Sequence, residues 1–78
     1  MSYSRIDSRL DMLKWNMEDE TRMMNEAREK MKLLADREDF EVAQFAPQYA
    51  RQFAEAFEAF KRNREEFLIL EKIREEQK

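Results

Sequence analysis

The sequence predicts an all-α fold, an antiparallel helical hairpin built from two long helices, and three observations support this. The 78 residues contain no Gly and a single Pro, whereas the tight turns of β-sheet proteins need Gly at positive φ. Apolar residues recur at alternating steps of four and three in both halves of the chain, which is the spacing of a helix with one buried stripe. A short charged stretch without apolar residues separates the two halves.

The first helix is predicted over residues 4–36. Ser4 and Asp7 have the spacing of a capping box, in which Asp7 replaces the preferred Glu. The apolar seam that follows keeps a heptad spacing, and three of the six methionines fall on it as core residues. Its apolar members are Ile6, Leu10, Leu13, Met17, Met24, Ala27, Met31 and Leu34, with Glu20 in the one polar slot.

A turn and a short helix are predicted over residues 37–46. The charged run at 36–39 places the turn, and the apolar residues after it suit one helical turn that packs over the hairpin end. Pro47 disfavours helical geometry at Ala46 but is well accommodated in the first turn of a new helix. The second helix therefore starts near Pro47, and a kink within a longer helix is the alternative.

The second helix is predicted over residues 47–76. Its seam is marked by Phe53, Phe60 and Phe67, which are spaced by seven. At about 1.5 Å per residue the two helices measure about 50 and 45 Å, so they can pair along their full lengths as one domain over residues 1–78. The flanking members of the seam are Tyr49, Ala50, Ala56, Phe57 and Leu70.

Two registers of the hairpin fit this pattern. The preferred register sets Ala27 opposite Phe57 and Glu20 opposite Arg64, so that Glu20 and Arg64 form a polar core layer. A shift of about four residues, close to one helical turn, would instead leave Glu20 opposite Phe60. Polar groups at core positions can fix the register of packed helices, which favours the first arrangement.

The end of the hairpin away from the turn carries more apolar surface than one partner helix can bury. Residues 67–70 are four consecutive apolar residues that cover every side of their helix. Surplus apolar surface of this kind typically marks an interface, and the alternative is that the frayed ends of a monomer expose it. The predicted interface consists of Tyr3, Met12, Trp15, Leu68, Ile69 and Ile73.

Composition argues against most site chemistry. The chain has neither His nor Cys, so the commonest general base, the thiol nucleophile and the usual zinc ligands are missing. A phosphate-cradling loop needs Gly, and di-iron bundles need a Glu-x-x-His motif. We therefore expect no catalytic residues, no metal and no cofactor.

Charge and hydropathy restrict the partners. The net charge is −3, and the basic run at 61–64 lies among acidic residues, which gives little counterion release on a nucleic acid. No apolar run approaches the ~18 residues of a membrane span. We expect a cytoplasmic protein that binds neither nucleic acid nor membrane.

The function expected from these features is a non-enzymatic protein–protein interaction module. The hairpin would associate with itself, first of all as a dimer that forms a four-helix bundle, and would act as an adaptor or accessory protein for an unidentified protein partner. The alternative is a small acidic inhibitor of a nucleic-acid-handling or other host enzyme. That alternative needs an acidic face of one sign, which the sequence has only at 18–20, at the turn and at 75–76.

Overall fold

The computed structural model describes residues 4–36 and 43–77 and shows an all-α antiparallel hairpin. Helix α1 spans Arg5–Ala35 and helix α2 spans Ala46–Glu76, and the described residues contain no strand. The hairpin measures 58 × 17 × 14 Å with a radius of gyration of 17.7 Å. A compact domain of this length would have a radius of gyration of about 11.5 Å. The molecule is therefore a thin, elongated layer of two helices.

The ends of α1 are set by local hydrogen bonds. The predicted capping box is confirmed, because the Asp7 backbone N–H donates to Ser4 Oγ at 3.1 Å and the Ser4 N–H donates to the Asp7 carboxylate at 3.2 Å. At the other end the Asp36 N–H donates to the carbonyl of Lys32 at 3.1 Å. The helix differs from the predicted range 4–36 by one residue at each end.

Helix α2 begins one residue earlier than predicted, at Ala46. Pro47 lies in its first turn, where the N–H that proline lacks has no partner within the helix. The N-cap residue, Phe45, makes no side-chain capping bond, and its carbonyl accepts from the Gln48 N–H at 3.2 Å. Pro47 thus starts a helix. Most of the predicted turn and short helix, residues 37–42, lies outside the described residues.

The seam of α1 is the predicted one. Leu10, Leu13 and Ala27 are buried, the other seam residues are half-buried, and every other residue of α1 except Asp7 is exposed. The half-buried members are Ile6, Met17, Glu20, Met24, Met31 and Leu34.

The seam of α2 differs from the prediction at Ala50 and Phe57, which are both exposed. Ala56 is buried at 7% exposure, whereas Phe57 is 44% exposed, so the placement of Phe57 opposite Ala27 is wrong. A heptad seam advances from Phe53 by three and then by four residues, which selects Ala56. The seam members that are buried or half-buried are Tyr49, Phe53, Ala56, Phe60, Asn63, Phe67, Leu70 and Arg74.

The core between the helices is small. Among the described residues, the buried hydrophobic side chains are Leu10, Leu13, Ala27 and Ala56. One helix can cover only one side of its neighbour, so the larger seam residues stay partly accessible to water. Nine large hydrophobic side chains of the described residues are exposed, and their placement is the most informative feature of the surface.

Candidate protein interaction surface

Two helices in one layer leave two broad faces, and a cross-helix ion pair identifies one of them. Arg9 of α1 binds Glu66 of α2 through two hydrogen bonds, one of them from Nη2 to Oε1 at 2.8 Å. The other terminal nitrogen of the same guanidinium, Nη1, lies 3.6 Å from the sulfur of Met12. Met12 therefore lies on the broad face that this ion pair crosses.

The helical spacing places five further exposed hydrophobic residues on this face. On α2, Ile69 and Ile73 follow Glu66 by three and seven residues, and residues so spaced share a helix face. Phe45 lies four heptads before Ile73. On α1, Leu33 lies three heptads after Met12, and Met23 lies three helical turns after it. We call the surface formed by Met12, Met23, Leu33, Phe45, Ile69 and Ile73 the Met23 face.

The opposite broad face carries much less apolar surface. Phe57 and Leu68 are its exposed large hydrophobic residues in the described part of the chain, and the ammonium of Lys61 lies 5.8 Å from the Phe57 ring centre. We call this surface the Phe57 face. Trp15, at 67% exposure, lies at the outer edge of α1, three residues after Met12. Six of the nine exposed hydrophobic side chains thus lie on one face.

The structure divides the predicted interface between the faces. Met12, Ile69 and Ile73 lie together on the Met23 face, whereas Leu68, three helical turns after Phe57, shares the Phe57 face. Trp15 lies beside Met12 at the edge. The predicted contribution of Tyr3 falls outside the described residues. The remaining members of the Met23 face were not predicted, although their heptad and three-turn spacings are visible in the sequence; they are Met23, Leu33 and Phe45.

Polar contacts hold the Met23 face together across the two helices. Near the turn, the ammonium of Lys30 lies 5.2 Å from the ring centre of Tyr49. Near the open end, hydrogen bonding to Arg9 lowers the pKa of Glu66 and hydrogen bonding to Glu66 raises the pKa of Arg9. Both members of this ion pair are more than 40% exposed, so the pair contributes little stability. It shows which residues of α1 and α2 lie side by side on this face.

A polar layer crosses the middle of the hairpin seam. Asn63 Nδ2 donates to Glu20 Oε1 at 2.6 Å, while Glu20 Oε2 is inaccessible to water and has no hydrogen-bond partner within residues 4–36 and 43–77. Burial raises the pKa of Glu20, and the hydrogen bond from Asn63 and the charge of Arg62 only partly oppose this shift. Glu20 is thus a desolvated carboxylate with one of its two oxygens satisfied.

The predicted pairing of Glu20 with Arg64 is not what the structure shows. Arg64 is exposed, and no ion pair joins it to Glu20 in the described residues. The reason is the heptad spacing, because Asn63 follows Phe60 by three residues and precedes Phe67 by four. Asn63 therefore occupies the seam position, and Arg64, the next residue, lies outside the seam.

Two further findings concern metals and membranes. Within residues 4–36 and 43–77, no group of three or more His, Cys, Asp or Glu side chains is arranged to hold a metal ion. Neither described helix combines the length and the hydropathy that crossing a bilayer requires.

Comparisons with known proteins give no match to a protein-family model, to a curated protein or to a solved structure. Function is therefore inferred from the unequal faces of the hairpin.

Proposed function

We propose that this chain is a non-enzymatic protein–protein interaction module that associates with itself through the Met23 face, as a dimeric four-helix bundle. The observation that carries the proposal is the one-sided distribution of exposed hydrophobic side chains. Removing apolar surface from water stabilises by about 25 cal/mol per Å², and a contiguous apolar face of this kind typically marks an interface.

The dimensions of the hairpin suit a second copy as the occupant. A stable interface of standard size buries about 800 Å² per partner, about an eighth of the 6634 Å² accessible surface of this chain. A broad face of 58 by 17 Å has a projected area of roughly 1,000 Å². Two such layers packed face to face would also cover the half-buried seam residues from a second side.

Another protein would bind to surfaces that the dimer leaves open. With the Met23 faces in contact, the Phe57 face points outward and Trp15 lies at the rim. Aromatic residues are enriched in protein interfaces. An adaptor role would use these residues.

The alternative, an acidic inhibitor, has weaker support. Such a protein needs an acidic face of one sign, and the densest acidic run of α1 is 18–20. Asp19 of this run is bound to Arg22 at 2.7 Å, and Glu20 is turned into the seam toward Asn63. The run therefore does not present three free carboxylates to a basic groove.

Two adjacent residues allow a matched test of the proposal. Ile69 and Leu68 are 60% and 49% exposed and lie on opposite faces. Ile69→Glu places a charge in the proposed interface, and we expect it to weaken dimerisation at least tenfold, which corresponds to about 1.4 kcal/mol. Leu68→Glu introduces the same group on the other face and should leave the dimer intact.

Sedimentation equilibrium at tens of micromolar protein measures both variants and the parent chain. A dimeric parent, a dissociated Ile69→Glu variant and a dimeric Leu68→Glu variant would support the proposal. A monomeric parent chain overturns it. So does a dimer that Leu68→Glu dissociates as readily as Ile69→Glu.

A further inference from the structure

The Met23 face has an internal symmetry that specifies how two copies meet. This inference rests on the proposed self-association: we infer that two hairpins pack face to face and antiparallel, related by a two-fold axis that lies in the interface, perpendicular to the helices, and passes over Met23 and Ala59. Each helix then packs against its own counterpart in the second copy.

On α2, residues of the Met23 face are spaced evenly before and after Ala59. Gln52 and Glu66 lie seven residues before and after it, and Phe45 and Ile73 lie fourteen residues before and after it. In an antiparallel pair these residues meet across the interface, Phe45 with Ile73 and Gln52 with Glu66 of the second copy. The Phe45–Ile73 contacts are apolar and lie at the two ends of the α2 interface. Each Gln52 amide can donate a hydrogen bond to a Glu66 carboxylate of the second copy.

Where α2 packs on α2 of the second copy, the charges on the Met23 face are complementary in the antiparallel arrangement. Glu55 lies four residues before Ala59 and Arg62 lies three residues after it. Antiparallel packing therefore sets Glu55 against Arg62 of the second copy, twice by symmetry. Both side chains are exposed, and within the described part of the chain neither forms an ion pair. Parallel packing of α2 on α2 would set like charges together, which is costly at an interface.

The residue at the centre suits a two-fold axis. A residue on such an axis meets its own copy, so a charged side chain there would face a like charge and a rigid, bulky side chain would clash with itself. Ala59 is small and half-buried, and it allows the two α2 helices to approach closely. The exposed residues nearest to it along the stripe, Glu55 and Arg62, have opposite charges.

The same axis also centres the apolar stripe of α1. Four contacts between the antiparallel helices show which residues lie level. Glu20–Asn63, Asp7–Arg74 and Lys30–Tyr49 place Ala59 level with residues 24, 22 and 20 of α1, and Arg9–Glu66 places it level with residue 16. By the first three contacts, an axis over Ala59 crosses α1 within about one helical turn of Met23.

Around that axis the α1 residues pair in the same manner. Met12 lies eleven residues before Met23, and Leu33 lies ten residues after it. Met23 would meet its own copy at the axis, and Met12 would meet Leu33 of the second copy on each side. Met side chains are flexible and fill such central positions without requiring an exact fit.

One pair of like charges falls near the α1 contact. Asp19 would lie close to Glu26 of the second copy. Arg22, which binds Asp19 at 2.7 Å, supplies a positive charge at the same level and offsets this repulsion. The α2 contact, with two opposite-charge pairs, therefore determines the orientation.

Cysteine cross-linking tests the axis directly, because the chain contains no native Cys. A disulfide needs Cα atoms within about 7 Å, which Ala59→Cys would satisfy against its own copy. Ala54→Cys is the matched control, since Ala54 is exposed and lies three residues before Phe57 on the opposite face. Under mild oxidation of the full chain we expect Ala59→Cys to give at least tenfold more covalent dimer than Ala54→Cys.

Charge reversal supplies a second readout. We expect Glu55→Arg and Arg62→Glu each to raise the dimer dissociation constant by about tenfold, because each creates two like-charge contacts. The double reversal restores opposite charges and should return the dissociation constant to within about threefold of the parent value.

The outcomes separate this inference from the proposed function. A dimeric parent chain with selective cross-linking at Ala59→Cys and recovery in the double reversal supports the axis. A dimeric parent in which Ala54→Cys cross-links equally well, or in which the double reversal does not recover, overturns the axis and leaves self-association standing. A monomeric parent chain overturns self-association and the axis with it.

Discussion

At the scale of single residues, Glu20 is the most unusual side chain of the hairpin. It occupies a seam position between apolar neighbours, and only Oε1 of its carboxylate has a hydrogen-bond partner. A desolvated carboxylate costs stability unless its oxygens are satisfied. The layer with Asn63 therefore fixes the alignment of α1 and α2 at some expense in free energy, as polar groups at core positions of helical pairs do.

The stability cost of Glu20 should depend on pH. Because its pKa is raised in the folded chain, the folded state holds the proton more tightly than the unfolded state, and stability increases as pH falls through the raised pKa toward the ordinary value of about 4.3. We expect Glu20→Gln to stabilise the fold at pH 7, with an advantage that shrinks as pH falls. Urea unfolding of the parent and the variant between pH 7 and pH 4 measures the difference.

Glu66 provides a control of opposite sign. Its pKa is lowered by Arg9, so its stabilising contribution is present at neutral pH and is lost below the ordinary pKa of about 4.3. Glu66→Gln should destabilise at pH 7, and this difference should disappear only in more acidic solution. A Glu20→Gln variant whose effect does not change with pH would contradict the burial of that carboxylate.

A double-mutant cycle should show that Glu20 is coupled to Asn63. Among the described residues, Asn63 is the one hydrogen-bond donor to the Glu20 carboxylate, so Asn63→Leu should cost about 1–3 kcal/mol. Glu20→Leu should cost less, because it also removes the desolvated charge, and the double variant should recover most of the loss. Urea unfolding of the four chains gives the coupling energy, which we expect to exceed about 0.5 kcal/mol.

Arg64→Leu is the control for that cycle. Since Arg64 is exposed, the substitution should change stability by no more than about 0.5 kcal/mol and should be additive with Glu20→Leu. The Glu20–Asn63 layer would be contradicted if the stability effects of the Glu20 and Asn63 substitutions were additive. A strong coupling between the Glu20 and Arg64 substitutions would also contradict it.

At the scale of elements, α1 was predictable because its signals are local and periodic. Ser4 and Asp7 are close in sequence and satisfy each other's hydrogen bonds, and the seam repeats over most of the helix. The start of α2 followed in the same way from Pro47, whose fixed φ and missing N–H are properties of that residue alone. Neither conclusion required knowledge of the partner helix.

The seam of α2 was harder to predict because a large apolar side chain lies next to the heptad position and a small one occupies it. Phe57 is large and apolar, yet the seam passes through Ala56, and the charge of Arg64 suggested a partner for Glu20 although Asn63 holds the seam position. Strict heptad steps from Phe53 give both correct residues. Spacing therefore determines which residues enter the seam.

The division of the surface into two faces could not be obtained from one helix at a time. Leu68 and Ile69 are adjacent in sequence and similarly apolar, but they point to opposite broad faces. Deciding which residues of α1 share a face with Ile69 requires a contact between the helices. The Arg9–Glu66 ion pair and the approach of Arg9 to Met12 supply that contact.

At the scale of the whole molecule, the hairpin is a single layer of helices with a small core. A chain of this size buries only about 60% of the surface that its unfolded form exposes, and such domains are marginally stable alone. The chain has no Cys for a disulfide, and the described residues contain no cluster of metal ligands. The proposed association with a second copy would supply stabilisation by burying the Met23 face.

Stability should therefore depend on protein concentration. When a dimer unfolds to two monomers, its apparent free energy of unfolding rises with protein concentration. The increase equals RT times the logarithm of the concentration ratio, about 2.7 kcal/mol per dimer for a hundredfold increase. With an unfolding entropy of about 2.1 cal/mol/K per residue, summed over the two 78-residue chains, Tm should rise by about 8 °C. Thermal unfolding followed by circular dichroism at two concentrations a hundredfold apart measures this shift.

The two face variants serve as controls for the shift. Leu68→Glu should retain the concentration-dependent Tm, whereas Ile69→Glu, which is expected to unfold as a monomer, should show a lower Tm that does not depend on concentration. A parent chain whose Tm does not change would be stable as the isolated hairpin, and its Met23 face would then not serve to bind a second copy.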